Sequence, residues 1–319
     1  MSVQISEPQG AGVMTDPRQT HTSDDKKAHR AAVKIAQRAM SPPRLLPLPL
    51  LQWFRRKRAL RLGAVGFKVR ADDGVKLDAL YLPPLVEDLT KLPVVHNHGY
   101  FEHKEAHLWS AWALGARGHG VILYDHRHHG RSKGRYITFG VKERHDVRAV
   151  IDHAVQQKWV KDKVITMGFS LGAGTMLQHA AMDDRVAGVV AKAPFLDMAS
   201  AVRSFRRRYG RFVRHPWLMR GFEEATRRAG FNLHEASTLK AVKHITAPVL
   251  FIVGQDDKDL PAKDHTLPLY EAKTQGQREL FEVPGANHLT LVFRRWPGVE
   301  EAIIRFCDRV AQDSGYPAT

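Results

Sequence analysis

From about residue 63 onwards, the chain alternates short apolar runs with stretches whose apolar residues recur at helical spacing. Six of the runs are almost continuously apolar, which is typical of parallel strands that are covered on both faces. Two earlier strand patterns, Val65–Val69 and Lys76–Leu82, flank the turn Asp72-Asp73-Gly74 and predict a hairpin. The sequence therefore predicts an α/β protein with one mostly parallel sheet of eight strands and helices on both faces.

The same pattern predicts how the chain is divided. The six runs lie at 93–96, 121–124, 164–167, 186–191, 248–253 and 279–283, and helices are predicted near 104–117, 142–158, 171–182, 264–274 and 299–311. We expect a single core at 63–196 and 244–319, because 319 residues hardly suffice for two catalytic domains. A helical, Arg-rich insertion at 197–243 interrupts this core.

Two segments precede the core. Residues 1–40 are predicted to form a basic tail that is disordered or partly helical, with a short helix possible over 26–40. Residues 41–62 are Pro-rich, then apolar, then strongly basic, and we refer to them as the arm. The arm is predicted either to pack along the core or to dock on an anionic membrane surface.

Positive charge is concentrated outside the predicted core. The formal net charge is +16, and residues 26–71 contain thirteen Lys or Arg and no acid. Residues 202–230 contain nine Arg and two Glu, so the rest of the chain is net acidic. Such patches attract anionic lipid, an anionic substrate or nucleic acid. The sequence has no recognisable nucleic-acid motif, which disfavours the last of these partners.

Other features bear on the compartment. Cys307 is the single cysteine, so no internal disulfide can form and a reducing setting is favoured. The first ten residues lack the basic start and apolar run of a secretory signal. The apolar stretch Leu45–Phe54 is too short to span a bilayer and contains Pro47 and Pro49. We expect a cytoplasmic protein without a transmembrane helix, peripheral at the inner membrane surface if the arm binds lipid.

One segment predicts nucleophilic chemistry. The strand pattern Val164–Met167 runs directly into Gly168-Phe169-Ser170-Leu171-Gly172, and a helix pattern follows. A serine on such a sharp turn projects its hydroxyl above the sheet, and small residues two positions on either side let strand and helix approach closely. The alternative is a Gly-rich turn without catalytic meaning, since the five-residue pattern also arises by chance.

Two downstream loops supply an acid and a base. Gln255-Asp256-Asp257-Lys258-Asp259 follows one strand pattern, and Ala286-Asn287-His288 follows the next. In a parallel sheet, loops at the carboxyl ends of strands build the site. His288 can take the serine proton while a buried carboxylate orients its ring. Asp256, Asp257 and Asp259 all stay open as that carboxylate, and Asp197 is a further candidate.

Four passages carry a resemblance to a known family: HNHGY at 96–100, YDHRHHGRSKG at 124–134, GFSLGAG at 168–174, and GQDDKDLP followed by PGANH. With them, the chain resembles the α/β-hydrolase superfamily from about Gly63 to the C-terminal helix. Within that superfamily it is similar to the serine aminopeptidase-like, prolyl-oligopeptidase-related small bacterial hydrolases. The resemblance implies the α/β-hydrolase fold with a short helical cap at 197–243.

The resemblance also implies roles for individual residues. The family's acid lies three residues after the glycine that ends its strand, which corresponds to Asp257. Its oxyanion hole corresponds to the backbone N–H groups of Tyr100 and Leu171, and its chemistry needs no cofactor. The side chain of Tyr100 is expected either to line the acyl pocket or to pack over the turn. One departure is His128, which stands where the family usually has glycine; if that position needs a positive φ, histidine is among the less costly replacements.

Histidines and arginines raise two further hypotheses. His96/His98, His126/His128/His129 and His103/His107 could bind a metal, but no cysteine or carboxylate completes a ligand set, so no metal is predicted. The cap arginines Arg206, Arg207 and Arg208, with Trp217, are candidate substrate-binding residues that would select an anionic or amphiphilic acyl group. The alternative is an amphipathic cap with a solvated basic face.

These observations predict a serine hydrolase that cleaves a small-molecule carboxylic ester or thioester, or a small amide, through an acyl-enzyme on Ser170, His288 and Asp257. An acyltransferase and an aminopeptidase-like enzyme use the same three residues and stay open. A hydrolase-fold protein that binds anionic surfaces without catalysis is the third class. Acyl length and oligomeric state are not predicted.

Overall fold

The computed structural model describes residues 23–42, 49–209 and 215–315, and in these ranges one sheet of eight strands forms the centre. The strands are β1 (Val65–Arg70), β2 (Lys76–Leu82), β3 (Val94–Asn97), β4 (Val121–Tyr124), β5 (Val164–Phe169), β6 (Val186–Lys192), β7 (Val249–Gly254) and β8 (Arg278–Val283). Their order across the sheet is β1-β2-β4-β3-β5-β6-β7-β8. β2 is antiparallel to β1 and β4, and every pair from β4 to β8 is parallel. The predicted eight-stranded, mostly parallel sheet is confirmed.

Helices cover both faces of this sheet. In the described ranges they are α1 (Ser23–Met40), α2 (Pro49–Arg61), α3 (Leu108–Gly115), α4 (Glu143–Gln156), α5 (Leu171–Ala180), α6 (Met198–Tyr209), α7 (His215–Arg228), α8 (Thr238–Val242), α9 (Thr266–Ala272), α10 (Thr290–Phe293) and α11 (Val299–Asp313). None of these helices combines the length and apolarity needed to cross a bilayer. Because strand side chains alternate between faces, Val94 packs with α3 and α11, whereas Val95 packs with α4 and α5.

A buried ionic cluster stabilises the turn that follows β3. The ammonium of Lys104 lies 2.6 Å from a carboxylate oxygen of Asp78 and 2.6 Å from one of Asp125. Burial lowers the pKa of Lys104, but the charges of Asp125, Glu105 and Asp78 outweigh burial and raise that pKa above its ordinary value. Burial likewise raises the pKa of Glu105, yet the hydrogen bond from His103 and the charge of Lys104 bring it to about 2. These paired charges tie the turn to β2 and to the end of β4.

Residues 197–243 contain α6, α7 and α8, and α7 packs closely against α1. A Cβ atom at Gly221 of α7 would lie 2.5 Å from the backbone of Ala32 in α1, so glycine permits this approach. Met40 of α1 joins Leu218 of α7 and Leu171 of α5 in one apolar cluster. α1 starts three residues before the helix expected at 26–40, and it packs against α7. Residues 1–22 of the predicted tail lie outside the described residues.

Candidate active site

Ser170 occupies a strained turn between β5 and α5. Its φ is 52° and its ψ is −112°, which is costly for a non-glycine residue. The neighbouring glycines show what makes this turn possible. A Cβ atom at Gly172 would lie 2.6 Å from the carbonyl oxygen of His98 and 2.7 Å from that of Asn97. A Cβ atom at Gly168 would lie 2.6 Å from the backbone nitrogen of Ala173. The two glycines therefore let α5 start directly against the ends of β3 and β5.

We expect Gly168→Ala to lower the free energy of unfolding by about 2–3 kcal/mol, because backbone rather than a side chain occupies the space of the new methyl group. Gly115→Ala is the matched control, since a Cβ atom there meets only ordinary contacts from 3.5 Å upwards at the end of α3. The free energy of unfolding of the control should lie within about 1 kcal/mol of the wild-type value. Denaturant unfolding measures both, and equal stability of the two variants would contradict the close approach at the turn.

The structure brings Ser170, His288 and Asp257 together. The Ser170 hydroxyl lies 2.9 Å from Nε2 of His288, and Nδ1 of His288 lies 2.6 Å from a carboxylate oxygen of Asp257. The Asp257 carboxylate is buried and also accepts the backbone N–H groups of Asp259 (2.9 Å) and Leu260 (2.8 Å). The ring of Phe169 packs against the imidazole with centroids 4.8 Å apart. The three side chains thus form one hydrogen-bonded series above the turn.

The other candidate acids lie elsewhere. The Asp256 residue is exposed, and Asp259 is half-buried on the loop whose N–H groups bind Asp257. The Asp197 carboxylate accepts the backbone N–H of Ser200 at 2.6 Å at the start of α6. Among the four acids left open by the residues, Asp257 is the one that contacts His288.

The loop after β3 is held rigidly beside the turn. His98 donates from Nδ1 to the carbonyl oxygen of Gly99 (2.7 Å), and its Nε2 accepts the backbone N–H of His126 (3.0 Å). Burial, with the nearby charges of His126 and His129, keeps the pKa of His98 well below its ordinary value. The ring is therefore neutral and fully used in joining the ends of β3 and β4. Tyr100, one of the two proposed oxyanion donors, follows this pair directly.

The two proposed oxyanion donors, Tyr100 and Leu171, lie on the two segments that meet beside Ser170. Leu171 is the first residue of α5, where helical N–H groups have no partner within the helix. Tyr100 is half-buried, and its phenol donates a 2.6 Å hydrogen bond to the carbonyl oxygen of Ala39 in α1. The Tyr100 ring thus packs in the apolar cluster that α1 shares with the cap. The two expectations for this side chain did not include a contact with α1.

Glu102 is a residue of this loop that the sequence did not single out. One of its oxygens accepts the backbone N–H of Gly99 at 2.6 Å and Nε2–H of His107 at 3.2 Å. Burial raises the pKa of Glu102, but the charge and hydrogen bond of His107 outweigh it and lower the pKa. A carboxylate three residues after a His-Gly pair is the signal that could have revealed it.

Of the histidines considered as metal ligands, His126 and His128 form hydrogen bonds within the protein. In the described parts of the chain, no three His, Cys, Asp or Glu side chains are arranged to bind a metal ion. His126 accepts a hydrogen bond from the Asn97 amide at 3.3 Å. His128 has a φ of 63°, the left-handed conformation that explains why the family has glycine there. Its ring nitrogens lie 3.1 Å from the carbonyl oxygens of Gly134 and Pro42, so it links this loop to the end of α1.

The candidate substrate-binding residues of the cap do not share one environment in the structure. Arg206 is half-buried on α6, and the side chains of Arg207 and Arg208 lie outside the described residues. Trp217 packs edge-on against His29 of α1 with ring centroids 6.4 Å apart, and Arg220 lies over it at 5.3 Å. These contacts place Trp217 at the junction of α1 and α7.

The sheet order and the strand–serine–helix turn are those of the α/β-hydrolase fold. A protein-family model described as serine aminopeptidase, S33, matches residues 90–229. The protein YqkD of Bacillus subtilis is 30% identical over 173 residues, which cover 54% of this chain and 56% of YqkD. The chain thus spans about half the length of this curated relative.

The solved structures that share the fold include two proteins from Pyrococcus species. The esterase Pf2001 of Pyrococcus furiosus superposes with a TM-score of 0.64 at 20% identity, over 84% of this chain and 98% of that one. The acylaminoacyl peptidase of Pyrococcus horikoshii gives 0.58 at 14% identity, over 78% of this chain and 41% of that one. The predicted resemblance to α/β-hydrolases is confirmed.

Proposed function

We propose that this protein is a serine hydrolase that cleaves a small-molecule carboxylic ester or thioester through an acyl-enzyme on Ser170. The observation that carries the proposal is the hydrogen-bonded series Ser170–His288–Asp257 on the turn between β5 and α5. The esterase among the structural neighbours is consistent with this chemistry.

In the proposed mechanism, His288 removes the Ser170 proton as the hydroxyl oxygen attacks the acyl carbon. Asp257 accepts Nδ1–H, which holds the imidazole in the tautomer with a free Nε2 and stabilises the imidazolium. The N–H groups of Tyr100 and Leu171 stabilise the oxyanion, and each such donor contributes about 3–4 kcal/mol to lowering the barrier. His288 then protonates the leaving group, and water releases the acyl group by the reverse sequence.

The surroundings of this series support an apolar acyl group. Leu171 of the serine turn and Leu260 of the Asp257 loop belong to the apolar cluster formed with α1 and the cap. Met198 and Val202 of α6 belong to the same cluster. By contrast, Arg203 on α6 is exposed. We therefore propose an amphiphilic substrate, with an apolar acyl chain within the cluster and any negative charge near the arginines of α6.

A panel of p-nitrophenyl esters graded by acyl length, each neutral or ending in a carboxylate, tests this proposal. We expect kcat/KM to rise with chain length. Charge reversal at Arg206, Arg207 and Arg208 is expected to raise KM for the carboxylate-ended esters more than for the neutral ones. An equal effect on both series would contradict charge selection by the cap, and absence of turnover with every ester would contradict the esterase proposal.

A second candidate is aminopeptidase-like cleavage of a small amide, which the match to the serine aminopeptidase model favours. Aminoacyl p-nitroanilides belong in the same panel for this reason. Turnover of the anilides with a higher kcat/KM than that of the esters would assign the site to amides. Product esters formed in the presence of an added alcohol would show acyl transfer by the same acyl-enzyme.

A further inference from the structure

α2, within the arm, is attached to the core in an unusual way. Its inward side carries a charge: Arg56 lies 3.0 Å from a carboxylate oxygen of Asp78 and 3.6 Å from one of Glu105. Ala59, one turn later, is buried against the core. Surface helices normally bury their apolar side chains and expose their charges. In α2, the half-buried charge of Arg56 is paired with two carboxylates, and this face attaches the helix to the core.

The outer face of α2 carries the apolar side chains. Trp53 is 47% exposed, Phe54 54% and Leu60 42%, and Leu62, just beyond the helix, is 54% exposed. Trp53 and Phe54 pack edge-to-face with ring centroids 4.9 Å apart, so together they form one apolar surface. Leaving the exposed part of these apolar side chains in water costs free energy that burial would release. A partner that covers them recovers this free energy.

Basic side chains surround this apolar surface. They are Arg55, Lys57, Arg58 and Arg61, and none of the four pairs with a carboxylate in the described ranges. The helix itself, PLLQWFRRKRALR, contains no acid. Lys57 lies over the Trp53 ring at 4.6 Å. The outer face of α2 therefore combines exposed aromatic residues with unneutralised positive charge.

Aromatic and basic side chains continue onto α3, where Trp109 also donates a 3.1 Å hydrogen bond to Glu300. Arg58 lies over the ring of Trp112 at 5.6 Å, and Trp109, one turn earlier, is exposed with Arg295 stacked on it at 3.4 Å. The aromatic and basic surface is thus larger than a single helix turn. It lies on the face of the sheet that α3 and α11 cover.

We propose that the outer face of α2, with the adjacent Trp109 surface, docks on an anionic lipid surface. Tryptophan and phenylalanine insert at the headgroup boundary, and each nearby Lys or Arg is attracted to an anionic leaflet. A second copy of this chain fits less well, because a two-fold contact would bring two sets of unpaired cations together. Nucleic acid fits the charge but not the exposed phenylalanine and leucine side chains.

Sedimentation of the full chain with vesicles tests the proposal. We expect binding to phosphatidylcholine vesicles that contain about one-third phosphatidylglycerol, and much weaker binding to pure phosphatidylcholine. Trp53→Ser/Phe54→Ser should weaken binding to the anionic vesicles about tenfold or more. Leu89→Ser is the matched apolar control, because Leu89 is 58% exposed in the loop between β2 and β3. Arg55→Glu should weaken binding, whereas Lys161→Glu, beyond α4 on the opposite face of the sheet, should not.

Thermal melting of each variant establishes that the chain is folded before its binding is compared. Equal binding by wild type and Trp53→Ser/Phe54→Ser would overturn the proposal, as would an equal loss in Leu89→Ser. Binding to a short DNA duplex that is as tight as binding to the anionic vesicles, and unaffected by the aromatic substitutions, would assign the surface to nucleic acid. A dimer in wild type that dissociates in the aromatic variant would assign it to a second copy.

Discussion

Ser170→Ala is expected to abolish covalent labelling by a fluorophosphonate and to lower kcat for ester hydrolysis by about 10⁴- to 10⁶-fold. The reason is geometric: the Ser170 hydroxyl lies 2.9 Å from Nε2 of His288, whose other nitrogen donates to the buried Asp257 carboxylate. Removing one oxygen atom leaves the turn and the oxyanion donors in place, so binding should change far less than turnover. Intact-protein mass spectrometry after labelling, together with steady-state kinetics, measures both effects.

Ser204→Ala is the matched control, because Ser204 also forms a serine–histidine pair. The Ser204 hydroxyl lies 3.0 Å from Nε2 of His265, but Nδ1 of His265 accepts the backbone N–H of Leu196 at 3.2 Å. Nε2 therefore carries the proton and cannot take one from serine. Burial lowers the pKa of His265 to about 4, so the ring stays neutral. Labelling should persist in Ser204→Ala; labelling lost there and retained in Ser170→Ala would contradict the assignment.

Asp257→Asn is expected to lower kcat by about 10³- to 10⁴-fold with a smaller change in KM. The carboxylate accepts Nδ1–H of His288 at 2.6 Å and two backbone N–H groups. An amide placed there can donate to Nδ1 and so favour the tautomer in which Nε2 is protonated. It also loses the negative charge that stabilises the imidazolium. Steady-state kinetics on the best ester of the panel measures this effect.

Asp256→Asn controls for charge on the same loop. Asp256 is the preceding residue in the sequence and is exposed, so its substitution should change kcat less than about threefold. Melting temperatures of both variants separate a loss of chemistry from a loss of the loop. Comparable kcat losses in the two variants would contradict Asp257 as the partner of His288.

Much of the fold could be predicted from local patterns. Six of the eight strands were predicted because buried parallel strands require apolar runs, and the first two because they flank a hairpin turn. The turn at Ser170 was predicted because glycines must flank such a close approach. Because the family usually has glycine at position 128, a positive φ was one expectation for His128, and the structure shows it. The position of Asp257 required the family resemblance, because three aspartates on one loop are equivalent by residue type.

Contacts between distant segments could not be predicted. The sequence of α1 predicts a basic helix, but not that Ala39 accepts the phenol of Tyr100 or that Gly221 lets α7 pack on Ala32. Such pairings depend on how elements far apart in the chain are oriented.

The sequence by itself determined the alternation that builds the sheet, the serine turn, and the chain order of serine, acid and histidine, because these depend on local spacing and on which strand each loop follows. Only the tertiary structure decided which histidine nitrogen is free and which side of α2 faces outward. Hydrogen-bond geometry and burial decide those questions, and both arise when distant segments pack together.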